Sequence, residues 1–194
     1  MCIRDSRSAI YAAAAIVDLI RADHEAMTAR ADGLLGSGTW NVGTISGGQG
    51  ISVVAPMAAL GIDRRLMPDE TADGVADALR TRITKAGIDS DGIGVDVLVT
   101  MEMPGFETPA DHRLVATAVG ALESLGVATS VGGWSAACDG GFVSRDLGIP
   151  AVVCGPGDIN TQAHQPDETV RIADVVTAAR AYTQMALTLL APRS

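Results

Sequence analysis

The sequence predicts an α/β protein in two parts. The first is a ferredoxin-like βαββαβ unit whose first strand is missing, and the second is the C-terminal part of another α/β domain. Three observations carry this. Residues 8–103 read as helix, strand, strand, helix, strand. Val95, Val97, Val99, Met101 and Met103 alternate with Asp96, Leu98, Thr100 and Glu102, as in an antiparallel strand with one wet face. Ala151-Val152-Val153-Cys154 is continuously apolar, as in a parallel strand covered on both faces.

Each element has its own local reason. A helix is predicted over 8–31, because Ile10, Ala13/Ala14, Val17, Ile20, His24 and Met27 recur at helical spacing. Asp32-Gly33 closes it, with Gly33 as the stop. A strand over 39–46 follows, in which Trp40, Val42 and Thr44 alternate against Asn41, Gly43 and Ile45. Gly47-Gly48-Gln49-Gly50 tolerates positive φ and so predicts a hairpin, with the return strand over 51–65 and Pro56 at a bulge or edge. Pro68-Asp69-Glu70 opens a second helix, its acids at the positive end of the dipole, and Gly87 ends it. The strand over 95–103 closes the first part. One more strand before residue 8 would complete the βαββαβ order.

A domain boundary is expected near residues 104–109. Beyond it lie a helix over 111–125, a strand over 127–131, a short helix over 139–147 with Asp139 as N-cap, a strand over 151–154 and a last helix over 172–190. The first six residues, Met1-Cys2-Ile3-Arg4-Asp5-Ser6, read as the translation of a transposon-end sequencing adapter, with an ordinary polar N-terminus as the alternative. On the adapter reading the chain is a C-terminal fragment.

The 194 residues suffice for one large or two small domains. The net charge is −9 and the basic residues are scattered, which excludes a nucleic-acid partner as an expectation. No apolar run approaches the ~20 residues of a membrane span. Residues 9–20 lack the cationic lead-in and cleavage site of a secretory signal. Cys2, Cys138 and Cys154 are odd in number and have no C-x-x-C spacing, which predicts a reducing, cytoplasmic setting.

The stretch from Gly148 to Glu168 concentrates the chemistry. An apolar strand ends in Gly155-Pro156-Gly157, and Ala163-His164-Gln165-Pro166-Asp167-Glu168 follows. Past the carboxyl end of a strand is where an α/β enzyme places a ligand or base. His164 therefore reads as a metal ligand, a catalytic base, or a turn histidine bonded to backbone. A catalytic zinc needs three protein ligands, yet the chain has only His24, His112 and His164, none in a cluster. His24 and His112 read as structural or solvated, and Cys138 and Cys154 as small buried residues. A Ser135, Asp139, His164 triad lacks the second glycine of a nucleophile elbow. Gly155-Pro156-Gly157 is no phosphate loop, because the proline removes an amide donor.

Taken together, several segments resemble the C-terminal portion of the M20 family of metal-dependent amidohydrolases, in the acetylornithine deacetylase and succinyl-diaminopimelate desuccinylase group. They are Trp40-Asn41-Val42-Gly43-Thr44-Ile45-Ser46-Gly47-Gly48, Gly61-Ile62-Asp63-Arg64-Arg65-Leu66-Met67-Pro68-Asp69-Glu70, Cys138-Asp139-Gly140, Gly148-Ile149-Pro150 and Gly155-Pro156-Gly157 through Glu168. The resemblance implies a ferredoxin-like dimerisation lid over 7–105 and the C-terminal part of a zinc-peptidase-like catalytic domain over 106–194. It implies two divalent metals, zinc or cobalt, with His164 as the one ligand retained here. Arg65 matches an arginine that reaches the substrate carboxylate, and Ser52 stands where the family has an asparagine. A solvated Arg65 paired with Asp63 remains the alternative. Gly155 and Gly157 are the implied substrate-binding glycines, and Glu168 is read as bracing the His164 loop.

The implied activity removes an acyl group from an N-acyl amino acid with metal-activated water. The implied partners are that substrate or a small peptide, and a second subunit bound through the lid. The general base, a bridging aspartate and a lid histidine would lie upstream, so this stretch by itself is expected to be inactive. Alternatives are a non-catalytic dimerisation module, or another M20 activity such as a dipeptidase or carboxypeptidase.

Overall fold

The structure is a computed structural model describing residues 7–31 and 33–192. The adapter reading, Cys2 and Asp32 lie outside the described residues. The order of elements is α1 (Ala9–Thr28), β1 (Thr39–Gly47), β2 (Ala58–Arg65), α2 (Ala72–Lys85), α3 (Arg113–Ser124), α4 (Gly140–Leu147), α5 (Ile159–Gln162) and α6 (Ile172–Leu190). The chain is thus mixed α/β. It divides into two compact units: the described residues up to Gly105 with Gly133–Cys138, and Phe106–Gly132 with the described residues from Asp139 onward.

In the first unit α1 and α2 cover one face of a two-stranded antiparallel sheet. Ile16 and Ile20 of α1 meet Leu79 and Ile83 of α2, and Trp40, Val42 and Leu60 from the hairpin pack on that cluster. The stripes at helical spacing therefore face inward, as their periodicity requires. In the sheet Val42 stands opposite Ile62 while Thr44 stands opposite Gly61, so Gly43 is the extra residue of a bulge. A side chain on Gly61 would collide with the Thr44 hydroxyl.

Two boundaries differ from the sequence expectation. The return strand begins at Ala58, and residues 48–57 form a loop closed by Gly48 N–H donating to the Met57 carbonyl at 3.2 Å. Pro56 has no N–H for a ladder, and Gly48 turns the chain at φ 76°. Similarly, α2 begins at Ala72. Glu70 closes a turn, its Oε2 accepting from Met67 N–H at 2.8 Å, and Thr71 Oγ1 then caps the helix by accepting from Gly74 N–H at 3.1 Å.

The larger correction concerns the remaining strands. Segments 95–103, 127–131 and 151–154 carry no ladder, and the described sheet consists of β1 and β2. The expected parallel strand is not formed, and Val153 is exposed. A strand exists by pairing its backbone with a neighbour's, and no other described segment forms such a ladder with these. Burial alternates only over the first part of segment 95–103, because Val99 and Met101, expected on the same face as Val95 and Val97, are exposed. Val95 and Val97 pack against the helical cluster, and Leu98 is exposed.

The second unit holds α3 to α6, with its buried residues mainly on α3 and α6. Val115, Ala118 and Ala121 of α3 and Ala178 and Ala181 of α6 are buried, and their small side chains allow close approach. Arg113 donates to the Thr188 carbonyl at 2.9 Å, and Ser124 Oγ donates to Gln184 Oε1 at 2.8 Å. Asp139 stands before α4 in helical conformation, φ −62° and ψ −15°, so its side chain makes no cap bond. A side-chain cap needs the extended conformation that residue lacks. Cys138 and Cys154 are half-buried rather than buried. Among the described residues no helix is long and apolar enough to cross a membrane.

A threonine substitutes for one missing ladder. Thr108 Oγ1 donates to the Ala151 carbonyl at 2.6 Å and lies 3.2 Å from Ala151 N–H, which donates to it. Thr108→Val keeps the shape and removes both bonds. Its expected cost is about 1–2 kcal/mol, read as a lower urea midpoint with unchanged slope.

Candidate active-site loop around His164

The loop is built by glycines at its entrance and by a self-contained clasp at its tip. α4 ends on Gly148 in the left-handed conformation, φ 63°. The 151–154 segment is tethered by Tyr182, whose hydroxyl donates to the Cys154 carbonyl at 2.7 Å. Burial pushes the Tyr182 phenol above its usual range, and the neighbouring Cys154 adds to that. Of the two candidate glycines, Gly157 has the stricter requirement. Its φ is 88°, and a Cβ there would stand 3.3 Å from Val170. Gly155 would meet only the Tyr182 hydroxyl, at 3.9 Å.

His164 itself adopts φ 62°, one of two described non-glycine residues with positive φ, the other being Asp91. For an L-residue that costs roughly 1–2 kcal/mol, so the surroundings must hold it there. Glu168 does so by accepting from His164 N–H through Oε2 at 3.0 Å. Gln162 Oε1 accepts from both the N–H and the hydroxyl of Thr169, at 3.2 Å each. Strain retained by its surroundings is a mark of functional loops. The bracing role read for Glu168 from the sequence thus has a bond behind it, whereas Gln162, Thr169 and the short α5 were not singled out. A glutamine and a threonine seven residues apart carry no periodic signal.

The donor set does not make a metal centre among the described residues. No three His, Cys, Asp or Glu side chains come together there. Glu168 spends an oxygen on backbone, and His24 and His112 are occupied structurally. His24 Nδ1 accepts from Trp40 N–H at 3.2 Å, and His112 Nδ1 caps α3 by accepting from Leu114 N–H at 3.1 Å.

Arg65 and Ser52 belong to the first unit. Arg65 ends β2 opposite Thr39, and its Nε donates to Asp63 Oδ1 at 2.8 Å. Both side chains are about half exposed, and such a pair is worth roughly 0–1 kcal/mol, so it does not lock the guanidinium. Ser52 sits in the exposed loop before β2. The eight-residue strand separates that loop from Arg65 by about 24 Å of chain rise.

One polar cluster escaped the sequence reading. Arg64 points to the helical side of β2, nine-tenths buried, and forms an ion pair with Glu70 at 2.6 Å. Its guanidinium lies 5.3 Å from the Trp40 ring centroid. Trp40 Nε1 donates to Asp23 at 2.8 Å, and Asp23 pairs with Arg82 at 2.5 Å. These residues line a cavity of about 210 Å³ with Met27 and Leu79. The available signal was an arginine in register with Leu60 on an otherwise apolar face.

Comparison with known proteins places these features in a family. The model of Peptidase family M20/M25/M40 matches residues 9–188. An acetylornithine deacetylase of Yersinia pseudotuberculosis is 31% identical over 137 residues, covering 70% of this chain and 33% of the relative. An M20 family metallo-carboxypeptidase of Sulfolobus solfataricus superposes with a TM-score of 0.63 at 22% identity, over 78% of this chain and 36% of that one. A tripeptidase of Staphylococcus aureus gives the same TM-score and identity over 94% and 46%. The chain spans about a third of the length of the deacetylase.

Proposed function

From the premise that this chain belongs to peptidase family M20/M25/M40, whose members are hydrolases using divalent metal ions, we propose that it is part of an N-acyl amino acid deacylase. The substrate class is supported by the deacetylase relative. The observation that carries the reading is His164, held against its backbone preference on a loop clasped by Glu168 and Gln162. In this reading His164 is one ligand of a two-metal site of zinc or cobalt. The loop's own residues present that imidazole, and Gly157 supplies the left-handed turn beside Val170 at the loop's entrance. The other ligands and the general base come from parts of the longer protein outside this stretch.

The reading assigns 7–105 to a ferredoxin-like lid that forms a homodimer, and 106–194 to the end of the catalytic domain, in a cytoplasmic enzyme. Arg65 would engage the substrate carboxylate by exchanging its weak bond to Asp63 for a bidentate one. Ser52 would contribute from the hairpin loop, and Gly155 from the His164 loop. A second reading, cleavage of short peptides, is favoured by the carboxypeptidase and tripeptidase likenesses.

The test is hydrolysis of N-acetylornithine by the longer protein, beside dipeptides and tripeptides, with zinc or cobalt supplied. His164→Ala is expected to lower kcat/KM by on the order of 100-fold or more, since even residues that only orient a ligand cost 10–100-fold. Faster turnover of peptides would select the second reading. Full activity of His164→Ala would remove both.

A further inference from the structure

We propose that the cavity beside Arg64 binds a small aliphatic monocarboxylate, its anionic end on the arginines and its apolar end against the helices. The inference goes beyond the hydrolase reading and does not depend on it. The cavity, of about 210 Å³, lies within the first unit, where α1, α2 and the hairpin meet. At roughly 30 Å³ for each liquid water it has the room of about seven waters, which fits a short organic acid and not a nucleotide. Asp23, Arg30, Trp40, Arg64, Glu70 and Arg82 supply its polar lining. Leu19, Ile20, Val75 and Leu79 supply apolar surface.

The bonds already made decide the charge of the occupant. One oxygen of Asp23 pairs with Arg82 at 2.5 Å, and the other accepts from Trp40 Nε1 at 2.8 Å. One oxygen of Glu70 accepts from Arg64 at 2.6 Å, and the other from Met67 N–H at 2.8 Å. All four carboxylate oxygens are therefore engaged, and a cation entering the cavity finds none of them free. Donors are in surplus, because three guanidinium groups line the cavity with two carboxylates, one positive charge in excess. A monoanion balances that charge, whereas a dianion reverses it.

Arg64 is the group that most lacks an acceptor. It is nine-tenths buried, and its Nε has no partner among the described residues. Its Nη2 also contacts Met27 Sδ at 3.4 Å, a weak acceptor on a flexible side chain that itself lines the cavity. A ligand carboxylate that displaces the thioether gives this buried cation a charge-assisted bond instead. Arg82 is about half exposed and pairs with Asp23 through Nη1, so the rest of its fork remains for the second ligand oxygen. The hydrocarbon end then meets Leu19, Val75 and Leu79, where removal of apolar surface from water adds affinity. A ligand so placed touches α1, α2 and the hairpin at once.

The test titrates the nitrogen-15-labelled full chain with 4-methylpentanoate at constant ionic strength. The readout is the indole N–H signal of Trp40, assigned by its persistence in Trp134→Phe. A saturable shift is expected, with half-saturation at about 1 mM or below, within the efficiency open to small ligands. The neutral amide and the amine of the same shape should bind about tenfold or more weakly, since neither brings a charged acceptor. Acetate, which lacks the apolar body, should be weakened by about as much. Arg82→Gln, and Ala78→Leu at an exposed position lining the cavity, should each weaken 4-methylpentanoate by about tenfold. Circular dichroism reports that both variants are folded, and the ligand series on the unaltered chain decides the proposal if either is not. Absence of a saturable shift would overturn it. So would equal binding of the amide, the amine or acetate, or unchanged affinity in the folded variants.

Discussion

Glu70→Ala is expected to destabilise the first unit by about 4 kcal/mol, the range for a buried ion pair that loses one partner. Arg64 is nine-tenths buried, and Glu70 supplies its carboxylate partner at 2.6 Å. The second Glu70 oxygen holds Met67 N–H, so the alanine variant loses the turn that precedes α2 as well. Arg64 already has a buried Nε with no partner among the described residues, and the Trp40 face offsets only part of the guanidinium charge. Glu70→Gln keeps the acceptor for Met67 and loses the charge, so it should cost about half as much. Urea unfolding followed by tryptophan fluorescence measures both. A loss below about 1 kcal/mol for the alanine variant would mean that the guanidinium finds water, as an exposed pair does.

Ile83→Ala comes next, at about 3 kcal/mol. Ile83 is 2% exposed and sits where α1, α2 and the hairpin converge. Truncation removes buried methyl and methylene groups and leaves a cavity that the surrounding secondary structure cannot fully close. Ile83→Val should cost about 1 kcal/mol. Leu98→Ala, on the exposed side of segment 95–103, should change stability by less than about 0.5 kcal/mol. Since domains are stable by only about 5–15 kcal/mol, either large variant removes much of the margin. An equal effect of Leu98→Ala and Ile83→Ala would mean that the open side of that segment is covered in solution.

Legibility in the sequence followed the range of the interactions. The stripes of α1 and α2 and the inward Trp40 and Val42 of β1 arise within a few residues of chain, and the structure repeats them. The Gly43 bulge takes Thr44 out of the expected alternation and sets it exposed opposite Gly61. The start of the return strand was misplaced because Ile51 and Val53 alternate as a strand would, while Gly48 and Pro56 deny that stretch a ladder. At the candidate site the order of glycines, His164 and Glu168 was legible, and so was the brace. The left-handed turn at His164 was not, because it depends on Glu168, Gln162 and Thr169 closing around it. The Arg64 cluster was missed for a similar reason, since an arginine on an apolar face is recognised only once Glu70 and Trp40 are seen beside it.

By itself the sequence determined the mixed α/β character, the four long helices, the hairpin and the likeness to M20 hydrolases. Periodicity and short motifs encode those locally. Only the tertiary structure decided which apolar segments are strands, because a strand's hydrogen bonds belong to its neighbour, and a valine alternation reads the same with or without one. Segment 95–103 shows the difference. Val95 and Val97 pack inward as their alternation dictates, Val99 and Met101 do not, and the backbone forms no ladder with another described segment.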